Sequence, residues 1–330
     1  MRPRRLLMTL ALAAALAPSL WLRSEAPRVK ASPFGHIEPL AHQAATAGPF
    51  RLEGAWEISG SGSMFGGFSA LITLPGDRFL AGTDGGRKLV FLRPDRPGPP
   101  ALFSRFGTKA DVDKLAVDLE ALTRDPDTGV VWGAYEASNA IRRFGADLAP
   151  QGKVRPRAMR EWGLNSGAEA FTRLPDGRFL AVEERAEGWG SEIHKAVLFA
   201  GDPLEDKAPR ILQLAVPGNY RPVDMIATGD GRVLVLLREL VISLPPGFRT
   251  AIGEFDVADV KQDARVKLRV LAELGDGFPH DNYEGLAITQ DDGVPHVWLV
   301  SDDNFMTYQR SLLLKLRWDQ RRDQRQKARK

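Results

Sequence analysis

The sequence predicts an all-β protein, a single β-propeller of about five four-stranded blades closed by an N-terminal strand. Three observations carry this prediction. One phrase recurs five times: FSALITLPGDRFLAGTD (68–84), DLEALTRDPDTGVVWGAYE (118–136), GAEAFTRLPDGRFLAVEE (167–184), VDMIATGDGRVLVLLRE (223–239) and YEGLAITQDDGVPHVWLVSDD (283–303). Each copy is an apolar run, a turn rich in Gly, Asp or Pro, and a second apolar run that ends in an acid, which is how two strands joined by a tight turn read. Further apolar stretches follow each pair, and no long amphipathic helix interrupts the body.

In chain order, residues 25–49 are rich in Ala, Pro and His and read as a linker, and FRLEGAWEIS (50–59) reads as a strand. A third strand per copy is expected at 88–93, 140–144, 195–199, 240–244 and 312–316, and a fourth at 101–106, 158–162, 211–216 and 268–274. The fifth copy has no fourth stretch of its own, so 50–59 is expected to complete its sheet and hide the edge. The propeller then spans 50–318, with a polar tail at 319–330. The fourth copy is long and irregular, with extra strand character at 250–255; a degenerate sixth blade inside it is the alternative count. The glycine-rich SGSGSMFGGF (59–68) has no helix after it, so it reads as an inter-blade loop rather than a phosphate cradle.

Composition narrows the function classes. Of 330 residues, 43% are hydrophobic and 26% charged, as in a folded soluble domain. The net charge of +3 sits largely in the tails, which argues against a nucleic-acid groove. With no cysteine there is no disulfide, thiolate metal site or cysteine nucleophile. Residues 1–24 open with arginines and continue into an apolar run at 6–22, the pattern of a secretory signal or an uncleaved anchor. A periplasmic or secreted location, or tethering to the inner membrane through 6–22, is the expectation, with a monomer as the simplest state.

The chemistry-bearing residues are acids. Glu120, Glu169, Asp224 and Glu284 stand where the first strand of a copy opens, with Ser69 in the first copy; Asp84, Glu136, Glu183 or Glu184, Glu239, and Asp302 or Asp303 close the second strand. Antiparallel pairing returns the closing end to the opening end, so both sets are expected at one mouth of the channel. Carboxylates that crowded must hold protons, pair with arginines or share a cation. Oxygen-only ligands favour Ca2+ or Mg2+ over zinc. The candidate metal ligands are Glu120, Glu169, Asp224, Glu284 and Asp302, and the candidate catalytic acids are Glu120, Glu169 and Glu284. Asn139, Asn165, Asn219, Asn282 and Asn304 lie near these acids and could add carbonyl ligands. Arg87, Arg142, Arg185 and Arg238, with His280, are the candidate contacts to a small anionic ester or phosphate-bearing ligand; Arg221 and Arg310 share that face. No GxSxG elbow occurs, which disfavours a serine hydrolase of the α/β type.

The stretches DLEALTRDPDTGVVWGAYEASNAIRRF, NSGAEAFTRLPDGRFLAVEER, NYEGLAI and LVSDDNF resemble the phytase-like propeller family, which is described as having esterase-like activity. The resemblance covers 50–318 and implies an exported bacterial propeller that hydrolyses phosphoesters or carboxyesters. By analogy with calcium-dependent propeller phytases, it implies Glu120, Glu169, Asp224 and Glu284 as inner cation ligands, with calcium as the cofactor. The lysine-rich phosphate site of a true phytase is not evident, which sets phytate itself apart. A non-catalytic envelope-binding propeller and a calcium lactonase are the other two readings.

Overall fold

The computed structural model describes residues 32–107, 117–163, 165–206, 208–244, 246–261 and 264–320, together with Met8. The expected signal or anchor at 1–24, with its apolar run, and most of the polar tail lie outside the described residues. No helix among the described residues is long and apolar enough to cross a membrane.

The chain begins with β1 (Phe34–Pro39), β2 (Thr46–Ala47) and β3 (Phe50–Gly60). Blade one follows as β4 (Phe68–Leu74), β5 (Arg78–Thr83), β6 (Arg87–Leu92) and β7 (Ala101–Arg105). Blade two is β8 (Leu119–Arg124), β9 (Val131–Tyr135), β10 (Ala140–Phe144) and β11 (Pro150–Val154). Blade three is β12 (Ala168–Arg173), β13 (Phe179–Ala186), β14 (Ile193–Phe199) and β15 (Arg210–Ala215). Blade four takes β16 (Arg221–Ala227), β17 (Arg232–Val241) and β18 (Gly247–Asp256); the short β19 (Arg265–Lys267) then leaves it before β20 (Arg269–Leu274) completes it. Blade five is β21 (Asn282–Asp291), β22 (Val294–Asp302) and β23 (Leu312–Trp318), with β3 as its outer strand.

The inner strands β4, β8, β12, β16 and β21 pack successively against one another, and β21 returns against β4 to close the ring. Five apolar cores fill the wedges between neighbouring blades. Ala70, Leu80, Leu119 and Phe144 lie between the first two blades, and Ala121, Trp132, Phe171 and Phe179 between the second and third. Leu180, Val182, Val235 and Phe255 come next, then Leu234, Leu236, Leu286 and Leu299, and finally Phe79, Leu89, Trp298 and Val300 beside β4. Five cores for five wedges leave no room for a sixth blade among the described residues. Because each blade is covered on both faces, inner and second strands read as continuous apolar runs; all five residues of β9 are buried.

Closure is as the sequence predicts. The outer strand β3 pairs antiparallel with β23, from Phe50 opposite Trp318 to Glu57 opposite Leu312, which ties an early strand to the last one. Three other expectations need correction. The stretch 25–49 is not wholly linker: β1 pairs β3 along residues 35–39 and also touches β7, fusing blades five and one into one sheet. Only Gly35 of β1 is fully buried, so no apolar run advertised a strand. In blade two the fourth strand is β11, whose PQGKV is mostly exposed, as an outer edge tolerates. The expected strand at 158–162 is a short 3-10 turn that delivers Met159 and Trp162 to the core beside Trp132. In blade four the third strand is β18, not 240–244, and β19 pairs in parallel with β15 of blade three.

Candidate functional site

Every inner hairpin carries a β-bulge at its opening end, at Ser69, Glu120, Glu169, Val223 and Glu284. A bulge turns one side chain away from the regular alternation of the strand. In blades two, three and five that side chain is a glutamate, and the three act on one another electrostatically. In blade four it is Val223, which packs into the core between blades four and five. Asp224 is therefore one residue out of step with the glutamates, and one residue in a strand reverses the side-chain direction. Its Oδ1 accepts the Met225 N–H at 2.8 Å and its Oδ2 accepts the Leu286 N–H at 2.7 Å. Burial pushes its pKa well up, while these two bonds favour the ionised form. Asp224 is a staple between blades four and five, and it does not join the expected metal ligands.

In blade two, Asp118, Glu120 and Glu136 each offer an oxygen, and these oxygens all lie within 4.8 Å of one another. Burial raises the Glu120 pKa well above the carboxylate range, and Glu169, Glu284, Glu136 and Asp118 push it further. Burial likewise lifts Glu136 to about 7, against the Gly167 N–H that its Oε1 accepts at 3.2 Å. Gly167 belongs to this contact: a side chain there would run into Asn139 Oδ1 at 2.8 Å and Glu136 Cγ at 3.1 Å. Asn139 donates its amide N–H to the Trp162 carbonyl at 2.9 Å, which fixes the amide orientation. Its Oδ1 is buried beside Glu136 and accepts no hydrogen bond among the described residues. Three close carboxylates and an orphaned carbonyl oxygen suit a hard divalent cation.

Blades three, four and five solve the same crowding with an arginine. Arg238, near the end of β17, donates through Nη1 to Glu284 and to Asn282 Oδ1, the latter at 3.0 Å. Its Nη2 donates to Glu184 Oε1 at 3.0 Å and lies 3.5 Å from Glu169 Oε2. Burial works against its charge, but Glu284, Glu169 and Glu184 together raise its pKa beyond the usual guanidinium range. Burial raises Glu169 well above the carboxylate range, with Glu184 adding to the rise and Arg238 opposing it. Asn282 also donates to Glu284 at 2.7 Å, so its amide is committed to this cluster.

The remaining side of the mouth belongs to Asp302, buried beside Glu284 and Asp84; burial, then those two charges, push its pKa well up. Asp302 accepts the Asn304 N–H at 2.7 Å. Asp303 accepts the N–H groups of Gly67 and Phe305, both at 3.1 Å, and holds a loop rather than a ligand. Gly66 and Gly67, at φ +127° and +68°, let this loop meet the acids: a Cβ there would sit 2.6 Å from Asp303 and 2.2 Å from Asp84.

The expected ligand contacts disperse. Arg238 is spent on carboxylates, and Arg142 lies over the Tyr135 ring at 4.4 Å. Arg87 is half-buried near Arg105, and His280 is exposed on its loop. Glu239 pairs with Arg249 at 3.1 Å, outside the central cluster. Ser69 donates to the Leu119 carbonyl at 2.5 Å, a link between blades one and two and not a nucleophile's setting. Asp118 was missed: it stands two residues before the glutamate, a place taken by Gly167 in blade three and Asn282 in blade five, so no repeat of acids marked it.

A closed five-bladed ring whose bulged inner strands gather acids at their opening ends defines a β-propeller. The chain belongs to the phytase-like family described as "Esterase-like activity of phytase", whose profile matches residues 63–305. No curated protein matches it in sequence. Among solved structures it is similar to Kuenenia stuttgartiensis hydrazine synthase, at 13% identity and TM-score 0.38, covering 74% of this chain and 59% of that one. It is similar also to a luciferin-regenerating enzyme, at 12% identity and TM-score 0.44, covering 87% of this chain and 92% of that one. A chain of a nidogen/laminin complex matches at 11% identity and TM-score 0.42, covering 81% of this chain and 88% of that one.

Proposed function

We propose that this propeller is a metal-assisted hydrolase of small anionic phosphoesters or carboxyesters, exported by its basic and apolar N-terminus and acting at the acidic mouth. The observation that carries this reading is the meeting of Asp118, Glu120 and Glu136 within 4.8 Å, with the orphaned Asn139 carbonyl beside Glu136. These residues would hold a calcium ion. Bound there, a divalent cation supplies polarisation of a phosphoryl or acyl oxygen and a bound water of lowered pKa. Glu169, buried and next in the ring of charges, takes the proton from the attacking water and returns it to the leaving alkoxide. Arg238 holds Glu184 and Glu284 in place by direct hydrogen bonds, whereas its Nη2 stays 3.5 Å from Glu169 Oε2, beyond hydrogen-bond length, which leaves Glu169 the acid able to move a proton. Family membership supports ester chemistry in general; the choice of cation and substrate is the proposal's own.

The test is turnover of p-nitrophenyl phosphate and p-nitrophenyl acetate with added calcium, then with chelator, in the intact protein and in Glu120→Gln. Calcium-dependent cleavage that Glu120→Gln abolishes is the expected result. Absence of cleavage of both esters at saturating calcium would overturn the hydrolase reading. The Arg238 plug favours one competitor, a propeller that binds without turnover, because three of the acids already have a counter-ion. A calcium-induced rise in melting temperature without any cleavage would select it.

A further inference from the structure

Beside the acidic mouth, on the flank of blade three, lies a second concavity of 310 Å³ whose wall is cationic. It arises from an irregularity in the β13–β14 hairpin. Val182 pairs with Ala196 and Ala186 with His194, so three residues of β13 stand against one of β14. The excess throws consecutive side chains apart. Glu184 reaches Arg238 at the mouth, while Glu183 and Arg185 line the pocket with Lys195 of β14 and Arg221 of β16. The tip of the hairpin carries Trp189, which lines the same pocket and is fully exposed.

The three cations are not committed to strong pairs. Arg185 is 3.7 Å from Glu183 and Arg221 is 3.9 Å from Glu184, both beyond hydrogen-bond length, and both guanidinium side chains are about half-exposed. The acids in the wall have other donors: Glu183 accepts the Gly163 N–H at 3.3 Å and Glu187 accepts the Gln213 amide at 2.9 Å. Two guanidinium forks and an ammonium around one opening suit an oxyanion. A large indole left in water at its rim is a platform for a planar or apolar group. The volume suits a small molecule rather than a polymer. Glu184 stands between the two sites, 3.9 Å from Arg221 of the pocket and 3.0 Å from Arg238 of the cluster, so the pocket neighbours the acidic mouth.

We propose that this pocket is the specificity subsite of the enzyme, taking an oxyanion of the substrate, phosphate or carboxylate, on Arg185, Lys195 and Arg221, with Trp189 covering an aromatic or apolar neighbour. It rests on the hydrolase reading for what the bound molecule is, but binding here is measurable without turnover. The substrate it implies is a molecule with a remote anion in addition to its ester.

The experiment is equilibrium binding to the full chain, followed by calorimetry and tryptophan fluorescence, with phenyl phosphate, benzoate, inorganic phosphate and neutral phenol. Phenyl phosphate or benzoate should saturate, and Arg185→Ala/Lys195→Ala should weaken it at least tenfold, while the exposed Arg78→Ala leaves it unchanged. Trp189→Ala should erase the advantage of phenyl phosphate over inorganic phosphate. A preference between phenyl phosphate and benzoate identifies which oxyanion the pocket takes. Lys195→Gln alone, with its melting curve compared to the parent, provides the same comparison if the double variant folds poorly. Phenol binding as tightly as phenyl phosphate, or anion binding that survives the double variant, would overturn the subsite. If the subsite binds anions but no ester is cleaved with calcium present, the hydrolase reading fails and the anion pocket stands.

Discussion

Blade two and blades three and five open on the same bulged glutamate and handle its charge in opposite ways. In blade two, Glu120 meets Asp118 and Glu136, and the strongest charges acting on it are all negative. In the other blades, Glu169, Glu184 and Glu284 share the single guanidinium of Arg238. The same bulged glutamate thus becomes an electrostatic vacancy in one place and half of an ion pair in another. A repeated acid marks where a strand opens; the nearest cation decides what the acid does.

The largest expected effect comes from removing the arginine. Arg238→Met removes the guanidinium that Glu169, Glu184 and Glu284 share and should destabilise the fold by about 3–5 kcal/mol, seen as a lower urea midpoint. An unchanged midpoint would erase the distinction between the two regions. Next, Glu120→Gln should abolish the calcium-dependent rise in stability, about 2.7 kcal/mol for the parent at a hundredfold excess over Kd, whereas Glu284→Gln should retain it. Equal loss in both variants would mean that the mouth holds its cation as one undivided cluster.

Asp224→Ala sharpens the comparison from outside. It should cost about 1–3 kcal/mol by orphaning the Met225 and Leu286 N–H groups, with the calcium response intact. The smallest effect is a pH dependence. Glu136 keeps its proton up to about pH 7 in the folded chain, against an ordinary value of 4.5. The folded state therefore binds the extra proton between those values, so this contribution is complete below pH 4.5 and is lost as pH rises through about 7. Without calcium, melting temperature should fall between pH 5 and 8, and Glu136→Gln should flatten that slope. A slope that survives the substitution would assign it to another acid.

Much of the fold was legible because each blade must present the same surfaces to two neighbours. The five phrases, the closing strand at Phe50–Gly60 and the turns between strands all carry that constraint in their apolar runs. Less constrained segments were not legible. The outer strand β11 is mostly exposed and has no apolar run, whereas 158–162 has one because its turn buries Met159 and Trp162. At the site, Glu120, Glu169 and Glu284 were legible as repeats. Asp224 was misplaced because a bulge shifts register by one residue without changing composition. Arg238 looked like a ligand contact because its three partners come from two other blades.

By itself, then, the sequence determined a ring of hairpins and a crowd of carboxyls at one end, since periodicity and strand polarity are properties of the chain alone. Only the tertiary structure decided which carboxyls face a guanidinium, which face one another and which tie blade to blade. Those outcomes depend on distances of a few ångströms between residues of different blades, and electrostatic energy changes steeply over that range.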